Sequence, residues 1–474
     1  TSVGSKTLTI KQASIIAVIF ETGGAIVMGS HVVDTIRKGI ADYECFEDDA
    51  EKLMYGCMWV TVSVAGWLFL ASYLEMPVST THSCVGGMIG MTIALKGTDC
   101  VLWYKESDTF PYVGGVSGIV LSWVISPLFS GIIASFLFII NRIFVLRHSY
   151  NSNRIIYLYP VLVGITLVIN SFFIIYKGAK GLNLDLDLIE ALIISFGIGS
   201  AGGLLTVPLI PFIKKKVNNK FRNYNPLNYN NYISDTTESS NNESRENNEN
   251  IIDSLKTTKS QIQKSIINNI HNSAEKFDIR TEEVFKYLQV FSAICDSFSH
   301  GANDVANSIG PFATMYIIYT TNNELSKKND LDNDAYWILA YGGIGIGVGL
   351  ILYGKKIIYA IGEKLCKITP SRGTCIELGS AIVIITGSRL KIPLSTTHCQ
   401  VGAECGVALC EKKGYKAINW YVLGKTIFGW IFTCLIVGTT TGILVAQGIY
   451  SHSYDDSCDL IMSVNNTNNT TISF

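Results

Sequence analysis

Charge is scarce in this sequence: only 16% of its 474 residues are charged, 48% are hydrophobic, and the mean hydropathy is positive. Soluble domains carry about 25% charged residues, so this balance belongs to a membrane protein. Net charge is also missing, at a formal −1. With no basic stripe interleaved with aromatics, nothing is left to hold a nucleic acid. The twelve cysteines include no C-x-x-C pair, which argues against a zinc site. Most of them, such as Cys84, Cys295, Cys399, Cys405 and Cys434, fall in apolar stretches where a thiol acts as a small hydrophobe. Cys45, Cys100 and Cys458 lie in connecting or terminal segments and can pair if those face an oxidising compartment. No methionine and no basic leader precede the first apolar run, which excludes a signal peptide and leads us to expect a fragment or a processed chain.

What the sequence has in quantity is apolar runs of bilayer-spanning length. They include Leu8–Met28, Gly118–Ile140, Ile155–Tyr176, Leu188–Ile213, Tyr336–Ile361 and Tyr421–Leu444. A crossing takes roughly 20 such residues, and the chain has room for about ten or eleven of them. One break in composition divides it. Lys214, Lys215, Lys216, Lys220 and Arg222 open some sixty residues rich in Asn, Ser, Lys and Glu, a composition too polar to offset chain entropy, so most of it is expected to be disordered. The lysine cluster directly after a membrane segment favours a cytoplasmic loop. Leu255, Ile262, Ile266 and Ile270 recur at helical spacing, as in a short amphipathic helix or an isoleucine-rich disordered stretch. The expected organisation is a first membrane repeat over 1–213, the loop over 214–283, a second repeat over 284–450 and a polar tail over 451–474.

The two halves share a motif. Pro77-Val-Ser79-Thr80-Thr81-His82 in the first returns as Pro393-Leu-Ser395-Thr396-Thr397-His398 in the second. Each copy is followed by a glycine-rich apolar run and then by a segment carrying a matched tryptophan, Trp123 or Trp430. Duplicated halves with interrupted hydrophobic segments point to a secondary transporter and to its site. The proline suits a helix start, and the hydroxyls after it can cap that start. The run that follows is too short to cross, so a re-entrant half-helix is expected. Such a helix offers unpaired N–H groups and a positive dipole end to an anion. Ser79, Thr80, Thr81, Ser395, Thr396 and Thr397 would then enclose a tetrahedral oxyanion from two sides. The plain alternative is a pair of ordinary helix caps.

A second motif, Ser299-His300-Gly301-Ala302-Asn303-Asp304-Val305-Ala306-Asn307-Ser308-Ile309-Gly310-Pro311, sets polar groups in an apolar stretch. At about 100° per residue, His300, Asn303, Asp304 and Asn307 share one face. An intramembrane carboxylate marks an ion or proton path, and its oxygens, with those of the amides, are hard ligands suited to an alkali cation. Gly301 and Gly310 would let the backbone unwind and add carbonyls. Asp296, two turns earlier, is a further candidate. Glu21 and Glu377 each precede small residues that permit close helix approach, and each could hold a cation or simply bond a neighbouring helix.

Together G-A-N-D-V-A-N-S-I-G-P and the two P-x-S-T-T-H copies resemble the PiT family of inorganic phosphate transporters, sodium–phosphate symporters also known as retroviral receptors. The resemblance covers Thr1 to about Ile213 and about Val284 to Ala446. It implies an all-α polytopic membrane protein with inverted repeats and two re-entrant helical hairpins. Phosphate would lie between the hairpins, with Asn303 and Asp304 in its site, and sodium close by as co-substrate. Coupling would involve Asp304, Asn303, Asn307, Glu21 and Glu377, and no other cofactor or metal. The resemblance also implies a lipid-embedded protein of the plasma membrane with external termini and the large loop in the cytoplasm, and it leaves open whether the protein is a homodimer. N-x-T sequons at Asn465, Asn468 and Asn469 fit an external tail, although Asn242 shows that so Asn-rich a chain makes sequons by accident. The family has G-A-N-D in both halves. Here the first copy is absent before Thr1-Ser-Val-Gly-Ser, so truncation is expected, and with it a chain not fully competent as written.

The expected mechanism is alternating access, with sodium at the Asp304 face lowering the cost of the anion. Asp304 would accept a hydrogen bond from protonated phosphate and so reject sulfate. Proton coupling through His300 and the carboxylates, an anion channel, and a phosphate sensor or receptor without net transport are the alternatives. An enzyme is the weakest reading, because no nucleophile–base pair lies outside these motifs.

Overall fold

The computed structural model describes residues 1–107, 112–147, 152–176, 186–222, 265–322 and 336–450. Nearly all of them are helical. The first half supplies α1 (Ile10–Lys38), α2 (Ala50–Tyr73), α3 (Thr80–Lys96), α4 (Gly115–Asn141), α5 (Ser152–Ile175), α6 (Leu188–Leu205) and α7 (Leu209–Lys220). The second supplies α8 (Ile279–Thr320), α9 (Tyr336–Lys364), α10 (Pro370–Arg389), α11 (Thr396–Leu409) and α12 (Trp420–Tyr450). A short antiparallel ribbon, β1 (Lys105–Glu106) with β2 (Val113–Gly114), precedes α4.

Among the described residues, seven helices, α1, α2, α4, α5, α6, α9 and α12, are long and apolar enough to cross a membrane. They turn large apolar side chains outward, as with Phe129, Ile132 and Phe136 on α4, where a soluble protein would place charge. The remaining expected segments fall short of that standard for a physical reason. The long α8 and α10 are diluted by the polar residues of the site, and α3 and α11 have only 17 and 14 residues, against the roughly 20 a crossing needs.

The run Leu188–Ile213 is not one segment. It breaks after Leu205, and α7 starts beyond Pro208, whose ring cannot donate to a continuing helix. Helix α7 then carries the lysine cluster as far as Lys220, which pairs with Glu283 at 2.8 Å, so the start of the expected loop is helical. Ile266 and Ile270 sit in a helical stretch over 265–273. Leu255, Ile262, Cys458, the rest of the loop and the tail with its sequons lie outside the described residues.

Chain order and side-chain contacts define two ends of the bundle. At one end Cys45 is disulfide-bonded to Cys100, and the Lys96 ammonium closing α3 bonds the Asp49 carboxylate that precedes α2. Lys96 and then Lys52 hold the Asp49 carboxyl below the usual carboxylate range. Their contribution is therefore present above the ordinary carboxylate pKa and lost as pH falls through the lowered value. At the other end the buried Arg372, opening α10, pairs at 2.7 Å with Glu411 just past α11, and Arg147 beyond α4 pairs with Glu275 at 3.2 Å.

The two helical hairpins enter from opposite ends. The α2–α3 turn reaches toward the Arg372 end, where Glu75 lies 3.9 Å from Lys364 of α9. The α10–α11 turn reaches the disulfide end, where the Thr35 hydroxyl donates to the Lys391 carbonyl at 2.9 Å. Packing is reciprocal as well: α3 lies along α12 of the other half, and α11 along α4.

Both seams are lined with glycine because backbones touch there. Gly86 and Gly90 face the backbone of Cys434 and Gly438, while Gly402 and Gly406 face that of Pro127 and Gly131. A Cβ on Gly86 would overlap main-chain atoms that cannot rotate away. Gly86→Val should therefore cost about 1–3 kcal/mol or more, read as a lowered melting temperature and a smaller monodisperse fraction in detergent. Gly66→Ala, in open space on α2, should leave both unchanged.

Candidate functional site

The reciprocal hairpins bring the two copies of the repeated motif together. Ser79 is the N-cap of α3 and accepts from the His82 amide at 3.3 Å; Ser395 is the N-cap of α11 and accepts from the His398 amide at 3.4 Å. The capping role falls to serine, and Pro77 and Pro393 stand two residues before the caps instead of inside the first turn. The two cap hydroxyls meet at 2.9 Å, both buried. Two helix N-termini, each with unpaired N–H groups and a positive dipole end, thus converge on one point.

A carboxylate already lies at that point. Asp304 of α8 accepts from the Thr80 hydroxyl at 3.1 Å and from the Thr396 hydroxyl at 3.0 Å, both on Oδ2, while its buried Oδ1 has no hydrogen-bond partner. Asn307, one turn on, donates to the hydroxyls of Thr80 at 3.0 Å and Thr81 at 3.2 Å, and Thr81 in turn donates to the Leu394 carbonyl at 3.0 Å. Asn303 faces the α10–α11 turn, donating to Ser388 Oγ at 3.1 Å. Helix α8 does not unwind at Gly301 or Gly310. These glycines instead admit the Glu21 backbone and the Ile36 side chain, so they serve packing and add no carbonyl ligands.

His300 links the cradle to the next carboxylate. Its Nε2 is 3.2 Å from Asp304 Oδ2 and its Nδ1 is 3.4 Å from Glu21 Oε1. Beyond it opens a cavity of about 300 Å³, lined in part by Glu21, Asp296, Glu377, Thr396 and Thr397. Glu377 stands apart from the cradle. It accepts from the Thr1 and Ser2 hydroxyls and from Ser292 at 2.6 Å, with the Gln289 amide at 3.5 Å. Of the expected residues, Ser79, Thr80, Thr81, Ser395, Thr396, Asp304 and Asn307 therefore form one connected cluster. Glu21, Glu377 and Thr397 line the adjoining cavity.

Sequence reasoning noted but assigned no role to the rings behind the cradle. His82 stacks on Trp123 with centroids 3.5 Å apart, His398 tilts over Trp430 at 3.7 Å, and the two imidazoles are 4.7 Å from each other. The signal was present, since both motif copies end in histidine and both following segments carry a tryptophan. What it lacked was any sign that the four rings meet. Chemically, two helix N-termini and their hydroxyls converge on one carboxylate oxygen, a set of donors of the kind that suits an oxyanion.

The chain is similar to known proteins along most of its length. The profile described as "Phosphate transporter family" matches residues 1–441. The chain is 29% identical to the phosphate-repressible phosphate permease pho-4 of Neurospora crassa, over 94% of this chain and 92% of that one. It is 25% identical to the human sodium-dependent phosphate transporter 2, over 95% and 94%. A solved structure, "The sodium-dependent phosphate transporter", superposes with a TM-score of 0.70 at 29% identity, covering 94% of this chain and 91% of the other.

Proposed function

Because this chain belongs to the phosphate transporter family, and so is a membrane transporter and no enzyme, we propose that it is a symporter that draws inorganic phosphate across the membrane with sodium ions. The observation that carries the proposal is the shared grip of Thr80 and Thr396 on one carboxylate oxygen of Asp304. Each hairpin contributes one hydroxyl and one helix N-terminus, and an anion entering between them meets donors from both halves of the chain.

The internal carboxylate supplies a reason for coupling. Hydrogen phosphate and Asp304 are both negative, and two unit charges 4 Å apart repel by about 4 kcal/mol at an effective dielectric of 20. Sodium ions held by Asp304, Asn303 and Asn307, with Glu21 and Glu377 along the cavity, offset that repulsion and admit the phosphate to Ser79, Thr80, Thr81, Ser395, Thr396 and Thr397. The halves over 1–213 and 284–450 act as inverted repeats that rock around the filled site, and the turns of the two hairpins are its re-entrant tips. We place the Arg372 end in the cytoplasm, supported by the lysines of α7, and the disulfide end outside the cell, supported by Cys45–Cys100.

The test is uptake of radiolabelled phosphate into vesicles carrying the full-length protein. An inward tenfold sodium gradient should accelerate uptake at least about tenfold over equimolar choline at constant pH, since each sodium ion carried down it gains about 1.4 kcal/mol. Equal rates in sodium and choline would refute sodium coupling. One observation favours a second reading: His300 bridges Glu21 and Asp304, the layout of a proton relay. Under that reading a pH gradient drives uptake in choline.

A further inference from the structure

A second cavity, of about 400 Å³, opens at the disulfide end of the bundle. Its lining includes Lys38, Lys105, Lys391 and His31, with Asp34 the sole carboxylate among its lining residues. Asp34 is paired with Arg37 at 3.0 Å, so the lining is positive on balance. Lys105 comes from the ribbon β1 and Lys391 from the α10–α11 turn. Neither ammonium has a carboxylate partner among the described residues. No residue of this cavity belongs to the proposed phosphate cradle.

Lys391 is also placed at a cost. It holds φ of +59°, a region uncomfortable for any residue with a Cβ. The turn keeps it there through the bond from its N–H to the Ser388 carbonyl at 3.2 Å and the bond from the Thr35 hydroxyl to its carbonyl at 2.9 Å. Glycine would sit there without strain, yet a lysine is present, which argues that the side chain is used. The next residue, Ile392, offers its carbonyl to the Asn303 amide at 3.5 Å, and three residues further on is the cap Ser395. The lysine therefore stands at the rim and the cradle begins a few residues away. The other hairpin has Glu75 in the same left-handed conformation, φ +57°, at the opposite end of the bundle. The two turns thus carry side chains of opposite sign, Glu75 facing Lys364 at 3.9 Å.

We propose that this pocket is a capture site for a dianionic oxyanion, hydrogen phosphate, which collects at Lys391 and Lys105 before passing to the cradle. A concave basic site focuses the field and raises the encounter rate of an anion by about 10- to 1000-fold, whereas the cradle, built of neutral donors around a carboxylate, has no such reach. The proposal rests on the phosphate symport reading.

Its test is the external phosphate concentration giving half-maximal uptake, with sodium saturating and ionic strength varied with choline chloride. Lys391→Glu should raise KM about tenfold at low ionic strength and much less at about 0.5 M, where the Debye length falls to a few ångströms. The maximal rate should not change. Lys391→Gly, which removes the charge and relieves the backbone, should raise KM about threefold, Lys105→Gln should act similarly, and Lys391→Arg should keep the wild-type value. An unchanged KM in Lys391→Glu overturns the capture site while leaving symport standing, and so does an equal loss of maximal rate in Lys391→Glu and Lys391→Arg. Absence of phosphate uptake by the wild-type protein overturns the symport reading itself.

Discussion

Asp304→Asn is expected to abolish sodium-driven phosphate uptake, with initial rates falling at least about a hundredfold at unchanged amounts of protein in the membrane. The carboxylate accepts from both hairpins at once. Hydrogen bonds to a charged group contribute about 1.5–3 kcal/mol each, so weakening two of them spans roughly two powers of ten. The substitution also removes the anionic oxygen proposed to hold the co-transported cation and reverses part of the hydrogen bonding, because an amide donates where a carboxylate only accepts. Near neutral pH phosphate still has a proton to give to Asp304, while sulfate has none. Residual transport in the variant should therefore discriminate less well against sulfate. Retention of a third or more of the wild-type rate would remove Asp304 from the mechanism.

The largest effect on stability is expected at the opposite end from the capture pocket. Arg372 is 2% exposed; Nε donates to Glu411 at 2.7 Å, Nη2 to the Glu275 carbonyl at 2.7 Å and Nη1 to Thr369 at 3.0 Å. Its guanidinium lies over the rings of Phe277 at 5.0 Å and Phe138 at 5.7 Å. Arg372→Met leaves Glu411 buried without its cation, at a cost of about 3–5 kcal/mol. The double variant Arg372→Met/Glu411→Leu removes both charges and should regain most of that loss. Thermal unfolding of the purified protein in detergent gives the comparison. If the double variant is no more stable than Arg372→Met alone, the penalty comes from lost packing on the two phenylalanines and the ion-pair explanation fails.

Much of this architecture was legible because membrane constraints are blunt. Long apolar runs became α1, α4, α5, α9 and α12, since lipid leaves a backbone few alternatives. The repeated P-x-S-T-T-H located both N-caps, because serine before a helix has a local energetic role that does not depend on tertiary context. Failures came where local rules gave way to packing. Gly301 and Gly310 read as weak points in α8, yet the space they leave is filled by Glu21 and Ile36, and the helix stays intact. Pro208 divided a run whose hydropathy looked continuous. Nothing in the spacing of the motifs could show that the Asp304 carboxylate would reach the hydroxyls of Thr80 and Thr396 together, because that depends on how three segments far apart in sequence cross. The same holds for Lys391, whose importance lies in its backbone angle and in its neighbours from α1 and the ribbon.

The reciprocal seams have a consequence for the integrity of the chain. Since α3 is covered by α12 and α11 by α4, each half buries its short helix in the other and would leave it bare if expressed alone. The glycine-to-backbone contacts of both seams come from α3, α4, α11 and α12, helices on the two sides of the hydrophilic stretch between α7 and α8. A protease cutting there would sever the polypeptide but not the protein: the two pieces would stay clasped through glycine-to-backbone contact, and two separately synthesised halves would have to find each other before either became stable.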